Sequence, residues 1–418
     1  VESVRSSSAL DRATPKGLWT WAIIIALVGV AARVIWFLQF EHDLPFAFGE
    51  TLSGHAWALE ASFRAPPDPD AAFNSYELTR AFAPGYGALL HGAVALAGPN
   101  AAPHAVAVIL LAFQSLFAAI AALLTFALSR RVLFGKVALI PPLLVTASIA
   151  LLELPGGLAP SIPLMLLLVG AIWLITLLRE KLPEARGIRI VLLTISAGFT
   201  LGGAVLFNPI VLILAPFILW WAFRGLGTDH ATLLLVATLL LPAIWLAVAQ
   251  TQLPGGIPVE QAKSWIAQDA GNVASSANEA VNRAYNFATP WNARFARGSY
   301  ASSNWNYEWI LPLSVRQDTT YQVASKGGAA LLMLAYAVLV LLGLFELFAE
   351  GAGSAARLLA LPVITLPFAT FLSPNGDLLR IPILPFLMIA LTLGFVWVGE
   401  NLRPYTRDRR TKSRESWT

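Results

Sequence analysis

Residues 103–129 read PHAVAVILLAFQSLFAAIAALLTFALS, and Arg130-Arg131 follow at once. The stretch carries no Asp, Glu, Lys or Arg. About 20 consecutive apolar residues suffice to cross a bilayer as a helix. Nine further stretches read as spans: 17–40, 133–152, 159–178, 188–207, 210–223, 231–250, 327–349, 357–373 and 378–399. The fold expected is therefore all-α: a polytopic membrane helix bundle of about ten spans. It forms a single transmembrane domain over 1–418. The stretch 210–223 is short, and Asn208-Pro209 separates it from its predecessor. It is a tilted or re-entrant helix, or the second half of one broken helix.

Composition agrees. The 418 residues are 57% hydrophobic and 12% charged, against about 25% charged in a typical soluble domain. So few charges cannot cover a water-soluble protein of this size. The absence of cysteine excludes a disulfide scaffold, thiolate metal sites and cysteine nucleophiles. The net charge of +4 matters less than where the charges fall. Arg5, Arg12 and Lys16 precede the first span, and Arg130, Arg131 and Lys136 follow the second. Arg179, Lys181, Arg186 and Arg189 follow the fourth, Arg224 follows the sixth, and Arg357 precedes the ninth. A basic tail, 400–418, closes the chain. Ten spans put all of these on one face, which the positive-inside rule makes cytoplasmic, together with both termini. The basic front of the first span, with no small-residue cleavage site behind it, reads as a retained anchor rather than a removed signal peptide.

Two long segments then lie on the outer face, 41–102 and 251–326. In the first, Leu52, Ala56, Leu59 and Phe63 recur at helical spacing from Thr51. They predict a helix lying flat on the bilayer. A second short helix is predicted after Pro84-Gly85, through Tyr86, Leu89 and Leu90. Glu50 stands at the water–lipid boundary near His55. It can act as a general base, can hold a divalent metal with His55, or is simply a solvated carboxylate. In the second loop, 258–286 reads as an amphipathic helix. Trp291, Trp305 and Tyr307, interleaved with asparagines, suit sugar rings as well as they suit an interfacial aromatic belt. Arg33 lies inside the first span. It either snorkels to the interface or contacts a lipid phosphate.

Short motifs along the chain carry a family resemblance. Gly49-Glu50, His55-Ala56-Trp57-Ala58-Leu59 and Ala83-Pro84-Gly85-Tyr86 resemble the first outer loop of the GT-C superfamily of membrane glycosyltransferases. The likeness is to the bacterial branch of protein O-mannosyltransferase and lipid A aminoarabinose transferase. Asp377-Leu378-Leu379-Arg380-Ile381-Pro382 resembles that family's Arg-rich opening of a late helix. Gly198 through Pro209 (GFTLGGAVLFNP) resembles its glycine-rich helix. The resemblance implies a GT-C-like bundle in a bacterial inner membrane, with long periplasmic loops. It implies an inverting transferase that moves a sugar from a polyprenyl phosphate to a lipid, glycan or protein acceptor. Glu50 would be the base and Glu153 a second acid or metal candidate. Arg380, Arg294, Arg297, Lys263 and Arg33 would meet the phosphate, and Tyr86, Trp291, Trp305 and Tyr307 the sugar or acceptor. Arg380 reads equally as an interfacial anchor, and Glu153 as a helix-end charge in water.

This sequence departs from the family pattern at four of these positions. Glu50 replaces Asp, Gly54 a Tyr, Gly87 a Pro, and Asn208 an Arg. The departures keep a second function open: a non-catalytic GT-C-like subunit that binds lipid or assembles with partner chains. A transporter fits less well. The span centres carry little charge, and the loops show no inverted repeat. The expected partners are membrane lipids and a polyprenyl-phosphate-linked sugar, not nucleic acid; the basic tail faces anionic lipid.

Overall fold

The structure, a computed structural model, describes residues 15–36, 84–98, 103–148, 161–182, 187–252, 319–349, 355–372 and 380–415. Among the described residues every regular element is helical. They are α1 (Pro15–Trp36), α2 (Pro84–Ala97), α3 (Pro103–Ser129), α4 (Ile140–Thr146), α5 (Ser161–Lys181), α6 (Ile188–Phe207), α7 (Ala215–Gly225), α8 (Thr228–Gln252), α9 (Thr319–Ala349), α10 (Ala355–Leu372) and α11 (Arg380–Glu415). Two 3₁₀ segments, Gly135–Leu139 and Pro209–Leu214, precede α4 and α7.

Six of the described helices are long and apolar enough to cross a membrane, and four shorter apolar segments accompany them. The chain is a membrane protein with a helical bundle fold. Within the spans of α5 and α11, 67% of positions are buried, against 28% for α1 and 22% for α8. The core therefore lies around α5 and α11, and α1 and α8 present most of their surface outward. Outward residues such as Leu27, Val28, Val236 and Ile244 are apolar, as a lipid-facing surface requires.

Hydrophobic burial does not drive helices together in lipid, so close backbone approach must. Two crossings show it. A Cβ at Gly198 or Gly202 would collide with α8 near Ala237 and the Thr238 carbonyl oxygen. Pro242 has no N–H to offer that carbonyl four residues back. The oxygen freed in this way is the one that meets Gly202. In the second crossing, a Cβ at Gly343 would strike the Ala390 carbonyl oxygen, and one at Gly394 the Leu339 carbonyl oxygen. α9 and α11 thus meet backbone to backbone.

The basic turns gather at one end. Arg131 forks onto Glu180 with bonds of 2.5 and 3.0 Å. Arg179 donates to the Gly225 carbonyl oxygen at 2.6 Å, and Ser129 to that of Ala138 at 2.7 Å. Trp19 of α1 meets Phe126 of α3 edge-on at 4.9 Å. The segments carrying Arg130, Lys136, Arg179 and Arg224 therefore share one end of the bundle.

Two elements differ from the sequence expectation, and at a third, 210–223, the structure selects the broken-helix alternative. The span expected over 133–152 begins as a 3₁₀ segment and becomes an α-helix only at Ile140. Gly135 sits at φ 56, and Pro141-Pro142 favour a helix start over a helix interior; residues 149–152 lie outside the described residues. At 210–223 the chain is broken. Asn208 is extended (φ −155, ψ 111), and its side chain accepts the Ile210 N–H at 3.0 Å before the 3₁₀ segment begins. At the other terminus α11 runs on through the basic tail to Glu415. Arg, Lys and Glu are good helix formers, and extending an existing helix is cheap.

Candidate functional site

The end opposite the basic turns carries the C-terminus of α6 and the N-termini of α2 and α11. α6 starts beside the basic end of α5 and rises 20 residues, about 30 Å, to Phe207. There the N-terminus of α2 meets it: a Cβ at Gly85 would strike the Phe207 ring. Leu393 and Val396 of α11 pack on the small core of Leu18, Phe126 and Leu133 at the basic end. Arg380, the first residue of α11, therefore begins the helix toward the far end.

Tyr86 occupies the first turn of α2. It is 8% exposed, and its buried hydroxyl has no hydrogen-bond partner among the described residues. Burial pushes the phenol above its usual pKa, so Tyr86 is a neutral donor. Asn208, where the resembling family has Arg, spends its side chain on the 3₁₀ cap one residue from Phe207.

Arg33 is 1% exposed. A Cβ at Gly29 would collide with the Thr146 methyl and lie 2.9 Å from Arg33 Nη1. The guanidinium thus folds back along α1 by about one turn, toward the C-terminal end of α4. This corrects the snorkelling reading: a buried guanidinium held against Gly29 and Thr146 is not an interfacial anchor. Gln114 and Ser115 of α3 and Thr146 of α4 are buried as well, at 0%, 1% and 7% exposure. Sequence reasoning passed over these three. The available signal was the polar pair Gln114-Ser115 at the middle of an apolar run.

Glu50, His55, Glu153, Lys263, Trp291, Arg294, Arg297, Trp305 and Tyr307 lie outside the described residues, as do the expected helices over 51–63 and 258–286. The chain joins the Glu50 segment to α1 at Trp36 and to α2 at Pro84. Among the described residues no group of three or more His, Asp or Glu is placed to hold a metal.

No protein-family model and no curated protein matches the sequence. Solved structures do match. One is the oligosaccharyltransferase AglB of Archaeoglobus fulgidus in complex with an inhibitory peptide and a dolichol-phosphate, 14% identical at a TM-score of 0.54 over 94% of this chain and 52% of that one. Another is the oligosaccharyltransferase of the same organism in the apo form, 16% identical at 0.55 over 95% and 52%. A third is that enzyme tethered to an acceptor peptide containing the NVT sequon, 14% identical at 0.53 over 92% and 50%. The chain spans about half the length of these proteins. At these identities the likeness is one of fold: the chain has a helical membrane fold like that of these oligosaccharyltransferases.

Proposed function

We propose that the chain is a glycosyltransferase that moves a sugar from a polyprenyl-phosphate donor to a lipid, glycan or protein acceptor. One observation carries this reading: nearly the whole chain follows the fold of an oligosaccharyltransferase. The motifs that resemble GT-C loops flank its elements, before α2 and at the start of α11. The reacting end is the one opposite the basic turns. It faces the periplasm of a bacterial inner membrane, with the basic end and both termini in the cytoplasm.

In this proposal the step is a single inverting displacement. An acceptor oxygen or nitrogen attacks the anomeric carbon from the side opposite the phosphate. The bond from that carbon to the phosphate oxygen breaks, and the electron pair leaves with the phosphate. Glu50 takes the acceptor proton. Cations stabilise the charge arriving on the phosphate, and arginine does so in a fork. Arg380 is the first choice by its place at the opening of α11; Arg294, Arg297 and Lys263 are further candidates. Tyr86, Trp291, Trp305 and Tyr307 serve the sugar or acceptor, and Glu153 is a second acid. Divalent-cation chelation separates two roles of Glu50. Transfer that survives a chelator leaves Glu50 as base alone; transfer lost and restored by a divalent cation adds His55 as its co-ligand.

A second reading, a non-catalytic subunit that binds lipid or a partner chain, is favoured by Asn208, whose side chain caps the 3₁₀ segment where the family has a cation. A Glu50→Gln variant decides between them. The transferase reading expects transfer to fall at least about a hundredfold, as for loss of a general base. Unchanged activity in cells favours the subunit.

A further inference from the structure

Among the described residues the buried threonines follow one habit, and Thr146 breaks it. Thr125, Thr176, Thr194, Thr238, Thr365 and Thr392 each donate to the carbonyl oxygen four residues back, at 2.7–2.8 Å. In a bilayer this is how a hydroxyl is satisfied without water. The Thr146 and Ser115 hydroxyls are buried and have no hydrogen-bond partner among the described residues.

Thr146 lies beside one buried cation, and helical register brings Ser115 to the same height. Thr146 lies against Gly29, beside Arg33 Nη1. Ser115 stands eleven residues before Phe126, three helical turns and about 17 Å along the same face of α3. Phe126 meets Trp19 of α1. The antiparallel step up α1 from Trp19 reaches Val30, next to Gly29. Gly29 makes the room, since a side chain there would collide with both Thr146 and the guanidinium.

We propose that Arg33, Ser115 and Thr146 form a binding niche for a phosphate group between α1, α3 and α4. Two hydroxyl donors and a guanidinium fork are the complement of a phosphate's oxygens. α1 is the wall between the niche and the lipid, and only 28% of its span is buried, so a lipid-borne phosphate enters sideways past it. The lipid source of the phosphate rests on the donor reading above; the anion niche does not.

The test is thermal unfolding of the purified full chain in detergent with three additives: a polyprenyl monophosphate, the matching uncharged polyprenol, and inorganic phosphate. The variants are Arg33→Gln and the double variant Ser115→Ala/Thr146→Val. The double variant removes only hydroxyls that lack partners, so it melts at or above the parent. The expected result is a rise in midpoint with polyprenyl phosphate and none with polyprenol. The double variant then needs at least about ten times more lipid phosphate for the same rise. A rise with inorganic phosphate alone, lost in the double variant, keeps the niche and removes the polyprenyl donor. Parental affinity in the double variant overturns the niche and leaves the donor reading standing. No response to either phosphate also overturns it, and the two hydroxyls then hold water.

Discussion

Tyr86 and Asn208 stand close together at the far end of the bundle, and their side chains are used in opposite ways. Asn208 is spent locally on the Ile210 N–H. Asn208→Ala is expected to cost about 1 kcal/mol, the usual worth of such a cap, read as a lower unfolding midpoint. Tyr86 keeps its hydroxyl without a partner among the described residues, so Tyr86→Phe should change stability by less than about 1 kcal/mol. Its effect belongs on transfer, as a several-fold loss if the phenol meets the sugar or acceptor. The pH dependence has a definite sign. Burial raises the native phenol, whereas an unfolded tyrosine ionises near pH 10. Above that pH the unfolded chain releases a proton that the native chain holds, so stability falls as pH rises. Compared with Tyr86→Phe, the parent should lose midpoint between pH 9 and 11; parallel curves would mean the phenol is not held neutral.

Among the elements, the two glycine crossings bring helices together backbone to backbone. Gly202 faces the carbonyl that Pro242 leaves unbonded, and Gly394 faces the Leu339 carbonyl. Gly202→Val and Gly394→Val should each destabilise by about 1–3 kcal/mol or more, since backbone cannot yield as a side chain can; unchanged unfolding midpoints would remove these crossings from the account. By contrast, Glu180→Gln breaks a partly exposed ion pair and should cost under about 1 kcal/mol. The apolar runs made α3 and α6 legible with the ends the structure shows, 103–129 and 188–207. They could not show that 135–139 and 209–214 wind as 3₁₀ turns, because hydropathy is blind to backbone hydrogen bonding. The motifs pointed to Arg380 and Tyr86, which the structure places at the starts of α11 and α2. The niche around Arg33 was not legible, since its three residues come from three helices whose register only packing sets.

At the scale of the whole molecule, the bundle has a basic end and an opposite end, and the functional account needs the second to face outward. The parent chain has no cysteine, so a single introduced thiol reports topology without background. In intact cells an impermeant maleimide should label Asn100→Cys, in the segment between α2 and α3, and spare Phe134→Cys at the basic end, which is 80% exposed. The reverse pattern would invert the orientation and place the reacting end in the cytoplasm. The central claim is the donor, and mass spectrometry of lipids that co-purify with the protein in mild detergent tests it most directly. The account predicts a polyprenyl monophosphate bearing a sugar, whose mass names the donor. Bulk phospholipids alone, with none displaced by added polyprenyl phosphate, would contradict it.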